Sequence, residues 1–368
     1  VRQLLASGRR VAAIVAPSVP AEFPDVPYRR LIGKIRRLGF AVVTEVAFGA
    51  DLVADRYRRL LDGGGNRRYV ATTCPAVVEY VERYAPHVVG SLAPVVSPMI
   101  ASARVARRVH GDDIAVVFVG PCVAKKQEGA VFGRGELDAV LTFPELRALF
   151  LEAGLDAEAI VEESDFDPPL AKIGGLFPVS GGLLRTADID DDLITGEAVV
   201  VDGRATFVEA IREFESGAID SPLLEVLACN GCIMGPAVTQ RMPLFSRRRL
   251  VSRYVKDRMA GFDEAQWQAD MERFGELDLS RGFRPSDQRL PGPTRDELNE
   301  ILARMGKLRP EDELNCGACG YETCVEHAIA IYQGLAENQM CLPWTIDRWT
   351  RTRMNSSHVS QSRMPSSD

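Results

Sequence analysis

The apolar positions of the chain fall into short continuous runs separated by stretches of helical spacing. Residues 10–18 read Arg-Val-Ala-Ala-Ile-Val-Ala-Pro-Ser, an unbroken apolar run closed by a turn, the pattern of a parallel strand buried on both faces. Residues 20–37 carry Tyr28, Leu31, Ile32 and Ile35 at helical spacing, and residues 40–46 form a second apolar run. After a helix that stops near Asp62 at three glycines, residues 69–73, 113–120, 139–143 and 223–227 supply further strands. Helices are expected at 76–84, 95–109, 144–153 and 207–216, while 161–206 reads as loop-rich and acidic around Val179-Ser-Gly-Gly-Leu183. The triple glycine lacks the Lys-Ser/Thr ending of a phosphate loop and reads as a helix stop. Strands and helices in alternation define an α/β body.

Beyond Met234 the chain becomes charged and helix-forming with no strand signal, and Pro285 to Pro293 reads as a linker. A second module follows, opening with an amphipathic helix at 295–306. The expected organisation is a two-lobed α/β body at 1–285, with parallel sheets flanked by helices, then a small, mostly helical module at 294–345. Residues 346–368, Ser-rich towards their end, are expected to be a disordered tail.

Composition narrows the partners. Lys plus Arg number 44 against 51 Asp plus Glu, a net charge of −7, and phosphate backbones need a basic surface, so nucleic acid is not an expected partner. The run Arg247-Arg-Arg249 reads as a solvated helix face. There is no apolar run of membrane-spanning length and no secretory signal. The first residue is Val, so either an unusual start or further sequence upstream is expected. Eight cysteines without an export signal point to a reducing compartment, the cytoplasm by default, where metal ligation or catalysis outcompetes disulfides.

Four of those cysteines follow strands. Cys229 and Cys232 stand three positions apart in Leu227-Ala-Cys-Asn-Gly-Cys-Ile-Met-Gly-Pro236, directly after a buried run, and Cys74 and Cys122 follow two other strands in Thr72-Thr-Cys-Pro75 and Gly120-Pro-Cys-Val123. A redox dithiol at Cys229 and Cys232 is one reading. A cluster shared by all four is the other, because open α/β sheets bind ligands beyond the carboxyl ends of their strands. The remaining four, Cys316, Cys319, Cys324 and Cys341, are spaced C-x2-C-x4-C-x16-C. Close thiolates with a remote fourth suit a cubane iron-sulfur cluster, one sulfur per iron, and Gly317 and Gly320 keep side chains out of the curling loop. A structural zinc site is the competing reading. His327, on the helix after Cys324, is expected to pack or face solvent rather than bind metal.

These segments carry a resemblance. Thr72-Thr-Cys-Pro-Ala76, Pro121-Cys-Val-Ala-Lys-Lys-Gln-Glu128 and Glu225-Val-Leu-Ala-Cys-Asn-Gly-Cys-Ile-Met-Gly-Pro236 resemble the three cysteine signatures of iron-only, or [FeFe], hydrogenases. Ala16-Pro-Ser18, Ser97-Pro-Met99 and Phe177-Pro-Val-Ser-Gly-Gly182 resemble minor motifs between them, in the same order. Cys316-Gly-Ala-Cys-Gly-Tyr-Glu-Thr-Cys324 through Cys341 is similar to a small four-iron, four-sulfur domain of anaerobic redox proteins. The combination resembles a sensory or regulatory branch of the family.

The resemblance implies two α/β lobes with a buried cluster between them. It implies a cubane on Cys74, Cys122, Cys229 and Cys232, joined through Cys232 to a diiron subsite carrying carbonyl, cyanide and a bridging dithiolate, and a second cubane in the C-terminal module. Lys125, Glu128 and Ser18 become candidate catalytic-site residues, with Lys125 and Ser18 as hydrogen-bond donors to the bound ligands. Four departures bear on turnover. Only Asn230 and Gly231 separate Cys229 from Cys232, where the family has three residues. Thr73 stands at the position of a proton-donating cysteine, and Met99 at that of a glutamine. The stretch Ala54-Asp-Arg-Tyr57 shows no evident inward proton relay. The expected function is hydrogen sensing or slow hydrogen oxidation and proton reduction, with a ferredoxin-like carrier or fused redox and signalling domains as partner. The alternative is a non-catalytic electron-transfer or scaffold protein holding cubanes alone.

Overall fold

The computed structural model describes residues 1–63, 65, 67–155, 162–191, 194 and 196–361. The chain divides into two compact units, Val1–Asp287 and Gln288–Asp368.

The first unit opens with a short helix α1 (Arg2–Ala6) and strand β1 (Val11–Val15), all five residues of which are buried. Helices α2 (Val19–Glu22) and α3 (Tyr28–Arg37) lead to β2 (Val42–Glu45), the long helix α4 (Val46–Asp62) and the two-residue strand β3 (Tyr69–Val70). Helices α5 (Pro75–Tyr84) and α6 (Pro98–His110) precede β4 (Ala115–Gly120), α7 (Ala124–Val131), β5 (Ala139–Thr142) and α8 (Phe143–Glu152). Then come α9 (Gly182–Ala187), β6 (Ala198–Asp202), α10 (Thr206–Ser216), β7 (Leu223–Leu227), α11 (Leu244–Met259) and α12 (Glu264–Phe274).

The strands form two parallel sheets, ordered β2-β1-β4-β5 and β3-β7-β6. Strand β1 runs between β2 and β4, with Ala12 opposite Val42 on one side and Val116 on the other. The chain therefore steps outward from β1 to β2 and returns on the far side at β4, so the connections leaving the carboxyl ends of β1 and β4 diverge and leave a crevice. In the second sheet β7 is central, pairing Leu223 with both Tyr69 and Ala198. Apolar side chains of both sheets meet on α4 and α6 in one core that includes Ile14, Phe48, Tyr57, Met99, Val116 and Leu223. Gly49 permits that packing: a methyl group on it would lie 2.7 Å from the Pro98 carbonyl oxygen and collide with Ser102.

The α/β architecture with helix-flanked parallel sheets is as the pattern predicts, with local differences. The helix expected over 20–37 is two helices, because Pro24 and Pro27 each remove a backbone donor between α2 and α3. The strand expected over 69–73 pairs only through Val70, with Ala71 N donating once more to Leu224 O. The segment read as loop over 161–206 contains α9 and β6; residues 161, 192, 193 and 195 of it lie outside the described residues. Helix α4 ends at Asp62 as expected, and Gly64 of the triple glycine lies outside the described residues.

The second unit contains α13 (Arg295–Arg304), α14 (Cys324–Tyr332) and α15 (Leu342–Gln361). Thr294 and Glu297 form a capping box on α13, and Ile301, Leu302, Met305, Ala328 and Cys341 make its small core. Helix α15 runs through part of the stretch expected to be a disordered tail. The Trp344 indole donates to Arg304 O at 2.8 Å and Asp347 pairs with Arg351 one turn on, contacts that Ser-rich composition does not reveal. Residues 362–368 of that tail lie outside the described residues. No helix among the described residues is long and apolar enough to cross a membrane.

Candidate metal centres

The crevice at the strand ends is built from loops that hold one another. Gly231 sits at φ +76°, and a side chain on it would meet the Pro178 carbonyl oxygen at 2.8 Å, so the Cys229–Cys232 loop lies hard against Phe177-Pro178. Gly235 approaches Pro121 O equally closely, and Ala237 N donates to Pro121 O at 3.0 Å. These contacts bring Cys232 beside Cys122. On the β3 side, Thr72 N donates to the Tyr57 hydroxyl at 2.8 Å, while Thr72 Oγ1 donates to Val95 O at 2.7 Å, which fixes the turn that delivers Thr73 and Cys74.

Cys74, Cys122, Cys229 and Cys232 converge. Cys74 occupies the N-cap of α5, and Cys122 accepts from the backbone amides of Ala124 and Lys125 at the start of α7. Burial pushes the Cys122, Cys229 and Cys232 thiols up, Cys232 most, and the mutual repulsion of the ionised sulfurs adds to it, with Cys74 among the repelling neighbours of each. Four thiols so crowded and desolvated are costly as bare thiolates and suit a positively charged metal body. Among the described residues no three His, Cys, Asp or Glu side chains close around a single metal ion. A cubane spreads its four thiolates around a larger body, one per iron.

Beside these sulfurs lies a cavity of about 70 Å³ lined by Cys122, Cys232, Ser18, Thr73, Met99 and Lys125, the rest of its wall being aliphatic, aromatic or proline. Ser18 caps α2, but the second residue of that helix is Pro20, which has no amide hydrogen to give, and the Ser18 hydroxyl is fully buried without a partner. The Ser97 hydroxyl, at the N-cap of α6 ahead of Pro98, is likewise buried and unpaired. An orphaned hydroxyl facing an apolar cavity is costly unless a bound acceptor completes it.

Lys125 is nearly buried. Its ammonium donates to Glu128 Oε2 at 2.7 Å and reaches Thr73 O at 3.5 Å. Glu128 Oε1 in turn accepts from Arg281 at 2.9 Å, so both carboxylate oxygens are engaged. Arg281 carries no signal in the sequence, since the stretch from Glu276 to Asp287 shows neither periodicity nor motif. The stretch Ala54–Tyr57 sends no acid inward: Asp55 pairs with Arg59 at 2.9 Å, and Ala54 and Tyr57 are the residues that face the core.

In the second unit Cys316, Cys319, Cys324 and Cys341 line one small pocket together with Lys307 and His327. Gly317 and Gly320 take φ of +69° and +88°, which lets the loop curl, and the Asn315 side chain accepts from Cys324 N at 2.8 Å. His327 packs, as expected: it is buried, stacked on Tyr321 and hydrogen-bonded through Nε2 to Glu337 O at 3.1 Å.

Residues 9–236 match the family model described as "Iron only hydrogenase large subunit, C-terminal domain". The chain belongs to the iron-only hydrogenase family. Residues 312–343 match a second model, described as "Putative Fe-S cluster". Among solved structures, a variant of the [FeFe]-hydrogenase HydA1 from Chlamydomonas reinhardtii superposes with a TM-score of 0.60 at 18% identity, over 77% of this chain and 98% of that one. The [FeFe]-hydrogenase HydA(deltaEFG), described in a study of stepwise H-cluster assembly, gives 0.59 at 18% identity over the same shares. At such identity these likenesses speak for the fold alone. The hydrogenase match covers the cysteines at 74, 122, 229 and 232 and ends well before Arg281.

Proposed function

We propose that this iron-only hydrogenase family member binds an H-cluster-like centre and a second four-iron, four-sulfur cluster, and that it senses hydrogen or turns it over slowly. In this reading Cys74, Cys122, Cys229 and Cys232 hold a cubane, Cys232 links it to a diiron subsite in the adjoining cavity, and Cys316, Cys319, Cys324 and Cys341 hold the second cluster. When bound, the diiron subsite supplies the iron at which hydrogen is split or formed.

The observation that carries the reading is the cavity itself. A cubane used only for electron transfer needs no neighbouring apolar space, and least of all one supplied with an unpaired Ser18 hydroxyl and the Lys125 ammonium. Those are the donors that small anionic ligands such as cyanide require in a dry site. Slow turnover follows from the proton side. Thr73, which lines the cavity, has a hydroxyl where a thiol would be far more acidic, and Glu128 has both oxygens committed to cations, so neither suits a proton relay. A sensory role, with a ferredoxin-like carrier or fused redox and signalling domains as partner, is consistent with slow chemistry.

Infrared spectroscopy of protein matured anaerobically with the hydrogenase assembly factors tests this. Iron-bound carbonyl and cyanide bands are expected, shifting under hydrogen, together with hydrogen/deuterium exchange above a metal-free control. The committed Glu128 and the shortened Cys229–Cys232 spacing favour a second reading, a scaffold or electron-transfer protein with cubanes alone. That reading wins if a hydrogenase matured in parallel shows the bands and this protein does not.

A further inference from the structure

The triad Lys125, Glu128 and Arg281 holds a question that the cysteine motifs do not answer: why a buried carboxylate next to the cavity is given two cations. Glu128 and Arg281 have side chains 1% and 9% exposed, so these are desolvated charges, and breaking such a pair is costly. Arg281 is held from three directions. Val96 N donates to Leu279 O at 2.9 Å, Ser280 bridges antiparallel to Val95, and Arg281 N donates to Pro94 O at 3.3 Å. Its guanidinium lies over the rings of Phe132 and Phe283, 4.3 and 4.8 Å from their centroids. The strap 279–281 is thus registered against 94–96, shortly before Pro98 and Met99 in the wall of the cavity.

With Lys125 alone, Glu128 would offer both oxygens to one ammonium, which would turn away from the cavity and be neutralised there. Arg281 takes Oε1, so Lys125 meets only Oε2 and keeps donors for Thr73 O and the cavity. The triad then carries one net positive charge beside a site built for anions. Arginine suits the task because its planar, always charged guanidinium can stack on rings and donate at its edge. We propose that Arg281 is a positioning residue: acting through Glu128, it holds the Lys125 ammonium at the cavity. The geometric part stands on the protein alone, and the consequence for a bound centre rests on the function proposed above.

The chain has six lysines, Lys34, Lys125, Lys126, Lys172, Lys256 and Lys307, so side-chain ammonium resonances of isotope-labelled full-length protein can be assigned by substitution. Arg281→Met is expected to move the Lys125 resonance and leave the other five in place, and Arg281→Lys to restore it in part. Glu128→Gln should move it too, and the double variant should move it no further than Glu128→Gln alone, since Arg281 acts only through Glu128. The double variant also leaves no unpaired buried carboxylate, which keeps the experiment usable if Arg281→Met folds poorly. An unmoved Lys125 resonance in Arg281→Met, or effects that simply add, overturns the proposal whatever cofactor the protein binds. In matured protein, the cyanide bands should shift in Arg281→Met in the same sense as in Lys125→Met. If Lys125→Met moves those bands and Arg281→Met does not, Arg281 is structural only. If the wild type shows no bands, the function proposed above fails, and the lysine resonances still decide the role of Arg281.

Discussion

Glu225 sits on the central strand β7, 1% exposed, four residues before Cys229. Burial is the largest influence on its carboxyl and lifts it to about 7, outweighing the amides of Leu184, Leu183 and Gly181 and the more distant charge of Arg185, all of which favour the ionised form. Above its unfolded value of 4.5 the unfolded chain gives up this proton more readily than the folded protein does. Stability from this group is therefore complete below pH 4.5 and is lost as pH rises towards 7, by about 3 kcal/mol if it acted alone. Glu225→Gln should flatten that part of the profile. Chemical denaturation from pH 4.5 to 7.5 measures it, and a slope unchanged in the variant would show that other groups set it. At this scale the sequence is most legible where chemistry demands a residue type. The eight cysteines stand out because clustered thiols are rare without a purpose, whereas Lys125 and Ser18 become candidates only through the family resemblance. Arg281 is invisible beforehand, since its partner lies 153 positions away and only folding brings them together.

Between elements, the anchoring of the first cysteine loop depends on one hydroxyl. Tyr57 on α4 is fully buried, accepts from Thr72 N at 2.8 Å and lies 3.0 Å from Thr72 Oγ1. Because Thr72 Oγ1 spends its own hydrogen on the carbonyls of Val95 and Ala93, the Tyr57 hydroxyl is the donor in that second contact. Tyr57→Phe keeps the ring, leaves the buried Thr72 N without its acceptor and removes the donor to Thr72 Oγ1, which should cost about 1–3 kcal/mol. A fall in the denaturation midpoint with an unchanged m-value is the expected readout, accompanied by weaker iron retention as the Thr72–Cys74 turn loosens; full stability in the variant would mean that water replaces the hydroxyl. The same contact explains why the predicted strand over 69–73 stops early: Thr72 turns its amide to a side chain instead of the ladder. Strand β6 departs from the expected loop for a different reason. Its run Ala198-Val-Val-Val201 before Asp202-Gly203 is a strand signal, but it is embedded in an acidic stretch, and it pairs on one side only, so four of its five residues are half-buried. The α2–α3 break is marked by Pro24 and Pro27, although the helical periodicity beyond them points to one continuous helix.

For the whole molecule, two sets of four cysteines are distributed differently, and that difference governs both their legibility and their behaviour. The second unit gathers its four from a loop and two adjoining helices within residues 316–341, so spacing alone displays the set. The first unit draws Cys74, Cys122, Cys229 and Cys232 from the carboxyl ends of strands in two sheets, and nothing local ties them together. Their union became readable through a family's ordered signatures and physically explicable through the strand order that opens a crevice there. Because each set lies wholly within one unit, the two sites should be lost separately in the full-length matured chain. Cys319→Ala should lower bound iron by about four atoms per chain, the content of one cubane, and leave the carbonyl and cyanide bands in place. Cys122→Ala should abolish those bands while the paramagnetic signal of the reduced second cluster persists. Iron and sulfide assays with electron paramagnetic resonance on both variants decide it. Loss of both sites from either substitution would mean that filling one site is a condition for filling the other, and unchanged iron in Cys319→Ala would remove that cysteine from the ligand set.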